Sequence, residues 1–244
     1  MLTVENRKIL RSRLFHGIVP VFVALGLFNG VANFLQHADE LRAAGTTWTV
    51  VWSQSSMTWS TLFFPFILVL YCGMLTTLDN QNRNWMRLAT YDATKQTLVA
   101  KLVKALQFCL YCQFTFLIGN IVAAAVLRFP LDFHMIPTMT LWCLAGVVGA
   151  MGIAALQLYL GLLLPSYPTQ VGIGIGLVFM GFAFSLMSEP LARIFPYAQA
   201  AVGNHLLDPA GMSFAATLFF VLLNLTVILL GTVAAFPRLE KITS

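Results

Sequence analysis

Apolar residues in this chain fall into long runs separated by short polar stretches. Such runs recur at Leu14–Leu35, at about Met57–Thr77, at Ala105–Leu127 and at Ser213–Phe236. Between Phe133 and Ser188 there is no Asp, Glu, Lys or Arg at all, a length too great for one crossing. LPSYPTQ at 164–170 divides it, because Pro165 and Pro168 break a helix around a polar turn. The fourth and fifth runs are then 138–164 and 169–187. A bilayer-crossing helix needs about 20 mostly apolar residues. The pattern therefore predicts an all-α integral membrane protein of six transmembrane helices, forming a single domain over 1–244. A barrel would instead show alternating segments of ~10 residues.

Composition agrees. The chain is 59% hydrophobic and 9% charged, against about 25% charged in soluble domains. The net charge of +5 does not point to nucleic acid, because the basic residues flank apolar runs and form no stripe with stacking aromatics. It reads as a topology signal. With the N-terminus inside, eleven of the fourteen Lys and Arg are cytoplasmic, leaving Arg42, Arg128 and Arg193 outside. Both termini are then cytoplasmic, in a multi-pass protein of the plasma membrane. The first run is longer than the ~7–15 residue core of a signal peptide and reads as a retained span. Residues 1–13 carry Arg7, Lys8 and Arg11 on one arc and Leu2, Ile9 and Leu10 on another, a weak interfacial amphipathic helix.

Candidate chemistry is sparse. No ionisable residue sits in the middle of a span, which argues against a carrier driven by an ion gradient. The His residues are not placed for haem or metal ligation, and no cofactor is expected on this chain. HExxH, GxSxG and a GxxxxGK[ST] phosphate loop are all missing from the sequence. GIGIG at 172–176 lacks a preceding strand and reads as a packing face. CLYC at 109–112 has redox spacing, but in an apolar run its cysteines read as inert small residues. Gly146, Ala150 and Ala154 recur every four residues, as do Gly172 and Gly176. Such ridges let helix backbones approach, within one bundle or between two subunits.

The stretch 79–106 carries five basic residues together with Trp85, Met86, Leu88 and Tyr91. Asp92 or Thr94 is placed to cap a helix that runs through Leu98, Leu102 and Leu106 into the third span. The loop is therefore two helices broken near Tyr91–Asp92. Its residue types fit three roles: an amphipathic segment on anionic lipid, a packed lid, or a docking knob in which an Arg-flanked Trp is the anchor.

The segment 59–102 resembles permease subunits of type-2 ABC exporters, on the branch that includes lantibiotic-immunity and bacitracin-resistance permeases. Trp59, Pro65, Asp79, Asn82, Trp85, Leu88, Ala100, Lys101 and Leu102 carry the resemblance. The family often has Pro near position 92, where this chain has Asp92. The resemblance implies a non-enzymatic permease whose partner, a cytoplasmic ABC ATPase dimer, holds ATP and Mg²⁺. That partner would dock on a coupling helix at 82–95 through Arg83, Asn84, Trp85, Arg87, Leu88, Tyr91 and Asp92. It also implies a second permease subunit, identical or paralogous, re-entrant helices within 188–212, and an amphipathic substrate such as a peptide antibiotic. Three rivals are a non-transporting anchor that recruits a partner through the same loop, a small membrane enzyme, and a gradient-driven carrier.

Overall fold

The computed structural model describes residues 13–43, 48–80, 84–91, 93–129, 134–164, 166–206 and 211–243. Among these residues all regular structure is helical, and six helices are long and apolar enough to cross a membrane. The crossings are α1 (Arg13–Gln36), α3 (Thr49–Thr58) continued through a π turn at Trp59–Phe63 into α4 (Phe64–Asn80), α6 (Thr94–Val126), α7 (Met135–Leu163), α8 (Tyr167–Met187) and α11 (Phe214–Thr243). Shorter helices lie between them: α2 (Ala38–Ala43), α5 (Asn84–Thr90), α9 (Glu189–Ile194) and α10 (Gln199–Gly203). The amphipathic arc expected over residues 1–13 lies almost wholly outside the described residues.

Burial divides the spans into two groups. In the second and fourth, 67% and 61% of the most apolar window is buried; in the first, fifth and sixth the share is 28%, 28% and 22%. The second and fourth spans therefore form the interior. α7 sits at the centre and touches α4, α6, α8, α10 and α11, while α1 closes over α3 and α6. The four cysteines are buried and free of disulfides, and Cys109 and Cys112 pack in the main apolar cluster.

Two boundaries differ from the hydropathy pattern. The second span begins at Thr49, some eight residues before the expected 57. Its first turns hold Ser and Gln, which depress hydropathy, but the Ser55 hydroxyl finds partners inside the protein. Ser55 Oγ reaches Asn120 Oδ1 at 3.2 Å and Ser60 Oγ donates to the Ser56 carbonyl at 2.5 Å. The π turn ends just before Pro65. Proline has no N–H for the carbonyl four residues earlier and its ring crowds that carbonyl, so the helix widens ahead of it. The third span likewise starts early, because α6 is continuous from Thr94. The break at Tyr91 falls where it was expected. Thr94 is not the cap, however: Ala93 holds that position without a side-chain bond, and Asp92 lies outside the described residues.

The glycines do not all do the same work. At Gly149 an added Cβ would lie 2.2 Å from the Gln199 carbonyl oxygen, and at Gly203 2.4 Å from that of Ala145. Here α10 crosses α7 backbone on backbone, halfway along α7. Around Gly172 and Gly176 nothing lies within 4 Å, so those two face outward. The close approach on α8 is made instead by Gly174 and Gly181. Gly149→Ala should therefore lower the melting temperature in detergent, since overpacking costs about 1–3 kcal/mol. Gly172→Ala and Gly176→Ala should leave it unchanged or slightly raised. A Gly149→Ala protein that melts with the parent would contradict the crossing.

Candidate coupling site

The short helix α5 is held at one end of the bundle by its own side chains. Trp85 is 2% exposed and packs with Leu98, Leu162, Ala235 and Leu239, the ends of α6, α7 and α11. Leu88 joins this cluster from the same face of α5. The Trp85 indole N–H donates to Asn80 Oδ1 at 2.8 Å, and the Asn80 amide in turn donates to the Gly161 carbonyl at 2.8 Å. One asparagine thus ties α4, α5 and α7 together.

Beneath the indole lies an ion pair. Lys101 Nζ is 2.5 Å from Asp79 Oδ2, and both side chains are essentially without solvent contact. The ammonium also donates to the Leu75 carbonyl and lies 5.8 Å from the Trp85 ring centroid. A buried pair is tolerable only when its remaining hydrogen-bonding capacity is met. On the side of the cation the carbonyl and the ring face meet it, with a cation–π contribution from the ring. Four of the residues that carry the sequence resemblance therefore act in one place: Asp79, Trp85, Leu88 and Lys101. Ala100 is buried beside them, and Asn82 lies outside the described residues.

This corrects one expectation. Trp85 was expected to face water as a docking anchor, but its side chain is turned into the bundle, because the indole has both an apolar cluster and a cation to cover. The outward face of α5 and its turn is formed by Met86, 45% exposed, Thr90, and Tyr91, 80% exposed. Arg83 and Asp92 lie outside the described residues. Asn84 and Arg87 are described in their helical backbone only.

At the other end of the molecule the segment after α8 folds back. Helix α9, a 3₁₀ turn at Pro196–Ala198 and α10 bring Tyr197 through Asn204 into complete or nearly complete burial. Amide side chains fasten it there. Tyr197 OH donates to Gln157 Oε1 at 3.0 Å, and Gln157 and Gln170 exchange side-chain-to-backbone bonds at 3.2 and 3.0 Å. Gln170 Oε1 accepts from Thr76 at 3.0 Å, Gln113 donates to Asn204 Oδ1 at 3.1 Å, and Asn224 donates to Gln199 Oε1 at 3.2 Å. Sequence reading looked for charges in the spans and passed over these neutral amides. Their signal is that Gln113, Gln157 and Asn224 each interrupt a long apolar run, while Gln170 closes the polar turn at 164–170.

Glycine makes room for them. A Cβ at Gly146 would lie 2.2 Å from Asn204 Oδ1, at Gly174 2.8 Å from Gln157 Oε1, and at Gly161 2.3 Å from Thr76 Oγ1. Gly146 is therefore a seat for an amide pair. Ala150 and Ala154 are fully buried on the same helix, so this small-residue ridge packs within the bundle.

The architecture is that of a multi-span membrane protein with an interior tied by neutral polar groups and a short helix clamped at one end. Among the described residues no group of His, Cys, Asp and Glu is arranged to hold a metal. The family model for ABC-2 family transporter proteins matches residues 1–184, three-quarters of the chain, and the chain belongs to that family. No curated protein matches it. The family is one of transporter permeases, generally non-catalytic membrane subunits that work with a partner ATPase.

The clamp generates a stability prediction. Trp85→Ala should cost about 3–5 kcal/mol, as buried aromatics do. Lys101→Met should cost a similar ~3–5 kcal/mol by stranding Asp79. Adding Asp79→Asn to Lys101→Met should recover part of that loss, read as the unfolding midpoint in detergent. Strictly additive losses would rule out a coupled pair.

Proposed function

We propose that this chain is the permease subunit of an ATP-driven exporter, worked from the cytosol by a separate ABC ATPase dimer that binds ATP and Mg²⁺. The observation that carries this reading is the clamp. A force on α5 passes through Trp85, Asn80 and the Asp79–Lys101 pair to the ends of α4, α6, α7 and α11 together. A loose loop would absorb such a push; a buried ion pair capped by an indole transmits it.

The contact surface for the ATPase is the outward side of this element, Met86, Thr90 and Tyr91, with Arg83, Arg87 and Asp92 nearby in sequence. Trp85 and Leu88 position that surface from below. The basic end faces the cytoplasm, with both termini inside and the protein in the plasma membrane, and the distribution of Lys and Arg supports that orientation. Residues 188–206 form a re-entrant hairpin from the outer side. Backbone that is not a full span is tolerated at that depth when it is buried in protein, as its packing against the middle of α7 provides. Two such permeases, identical or paralogous, enclose the path. The substrate is amphipathic, and the branch resembled by residues 59–102 points to a peptide antibiotic removed for self-protection.

Met86→Ala/Tyr91→Ala should reduce the amount of ATPase that co-purifies with the permease from its host, by severalfold, with the melting temperature of the permease unchanged. Undiminished co-purification would remove the docking role of α5. Single cysteines at Thr90 and Ser213 test orientation: an impermeant thiol reagent applied to intact cells should label position 213 and spare position 90. The reverse pattern would invert the topology.

A further inference from the structure

One buried polar contact of the bundle is incompletely paired. Gln113 on α6 donates to Asn204 Oδ1 across the seat at Gly146. That leaves Gln113 Oε1 and Asn204 Nδ2 buried without a partner. Exchanging the orientations of the two amides changes nothing, because one acceptor and one donor remain over in either arrangement. Two more unpaired groups come from the same surroundings, the indole N–H of Trp59 and the hydroxyl of Ser56. Trp52 donates to the Asn204 carbonyl at 3.0 Å, and Ser56 is one helical turn beyond Trp52. Trp52 and Trp59 both pack on Phe116, with ring centroids 5.2 and 5.5 Å away, and Phe116 is one turn beyond Gln113. All four side chains are buried, at 0–2% exposure.

We propose that this contact is an internal hydration site, binding water between Gln113 Oε1 and Asn204 Nδ2, with Trp59 and Ser56 as further partners. The ligand class follows from the lining. The unpaired groups are two donors, one carbonyl acceptor and one hydroxyl, and the four groups that would line it are all uncharged, so the site suits a small neutral molecule that both donates and accepts. Buried waters typically make about three such bonds to groups left unpaired by the protein. The site is also well placed for movement. It adjoins the π turn at Trp59–Phe63, against which α10 packs, and wide turns of this kind mark places where a helix yields. Water there lets the second span bend while its polar groups stay satisfied. The inference rests on packing alone and stands apart from the transport reading.

X-ray radiolytic footprinting of the full chain in lipid nanodiscs tests it, because hydroxyl radicals form at bound water and modify the nearest side chains. Trp59 should be modified severalfold faster than Met139, which is equally buried in the apolar core. In a Gln113→Leu/Asn204→Leu protein the Trp59 rate should fall to that of Met139. Equal rates in the parent, or an unchanged Trp59 rate in the variant, would overturn the site. Should the variant fail to insert, a map of the parent that resolves waters decides instead. Density within hydrogen-bonding reach of both Gln113 Oε1 and Asn204 Nδ2 supports the site, and a dry contact refutes it.

Discussion

The arrangement depends on a buried salt link, Asp79 with Lys101, under the face of Trp85. Removing two charges from water costs several kcal/mol per ion, so such a pair persists only where its geometry is enforced. Enforcement here comes from three directions. The Leu75 carbonyl accepts a hydrogen bond from the ammonium, the indole covers the cation, and Asn80 fixes the indole. Asp79, Trp85 and Lys101 belong to three different parts of the chain: the end of the second span, the connecting helix, and the start of the third. Because none can shift without exposing or stranding a charge, the connecting helix is part of the bundle and not an appendage to it.

A second principle organises the interior. In membrane proteins small residues are usually read as places where helix backbones meet. That holds at Gly149 and Gly203, where α10 lies on α7. Elsewhere the missing side chain leaves space for an amide or hydroxyl from a neighbouring helix: Gly146 for Gln113 and Asn204, Gly174 for Gln157, Gly161 for Thr76. Amides suit the purpose. They carry a donor and an acceptor, hold no charge, and find few competing partners in hydrocarbon. The folded-back segment before the last span is fastened by them, through Tyr197, Gln199 and Asn204.

The span count was legible in the sequence because hydropathy responds to lipid thickness, and six apolar runs became six crossings. The break near Tyr91 and the continuity of α6 were legible for a similar reason, since local helix signals act over a few residues. The inward turn of Trp85 was not. A tryptophan among arginines looks water-facing until the cation beneath it is known, and Lys101 lies sixteen positions further along the chain. The early start of the second span was hidden because hydropathy scores Ser55 as polar without knowing that it finds partners within the protein. Gly172 and Gly176 form as regular a ridge in sequence as Gly146, Ala150 and Ala154. Only the second of these ridges is buried, because periodicity identifies a helix face and not its neighbour.

The burial of all four thiols has a practical consequence. Maleimides and nitroxide or fluorescent tags react with accessible thiolates, and the chain presents none of its own to them. An introduced cysteine would then be the sole attachment point in otherwise native protein. Distances between α5 and the folded-back segment become measurable by spectroscopy while Cys72, Cys109, Cys112 and Cys143 keep their packing.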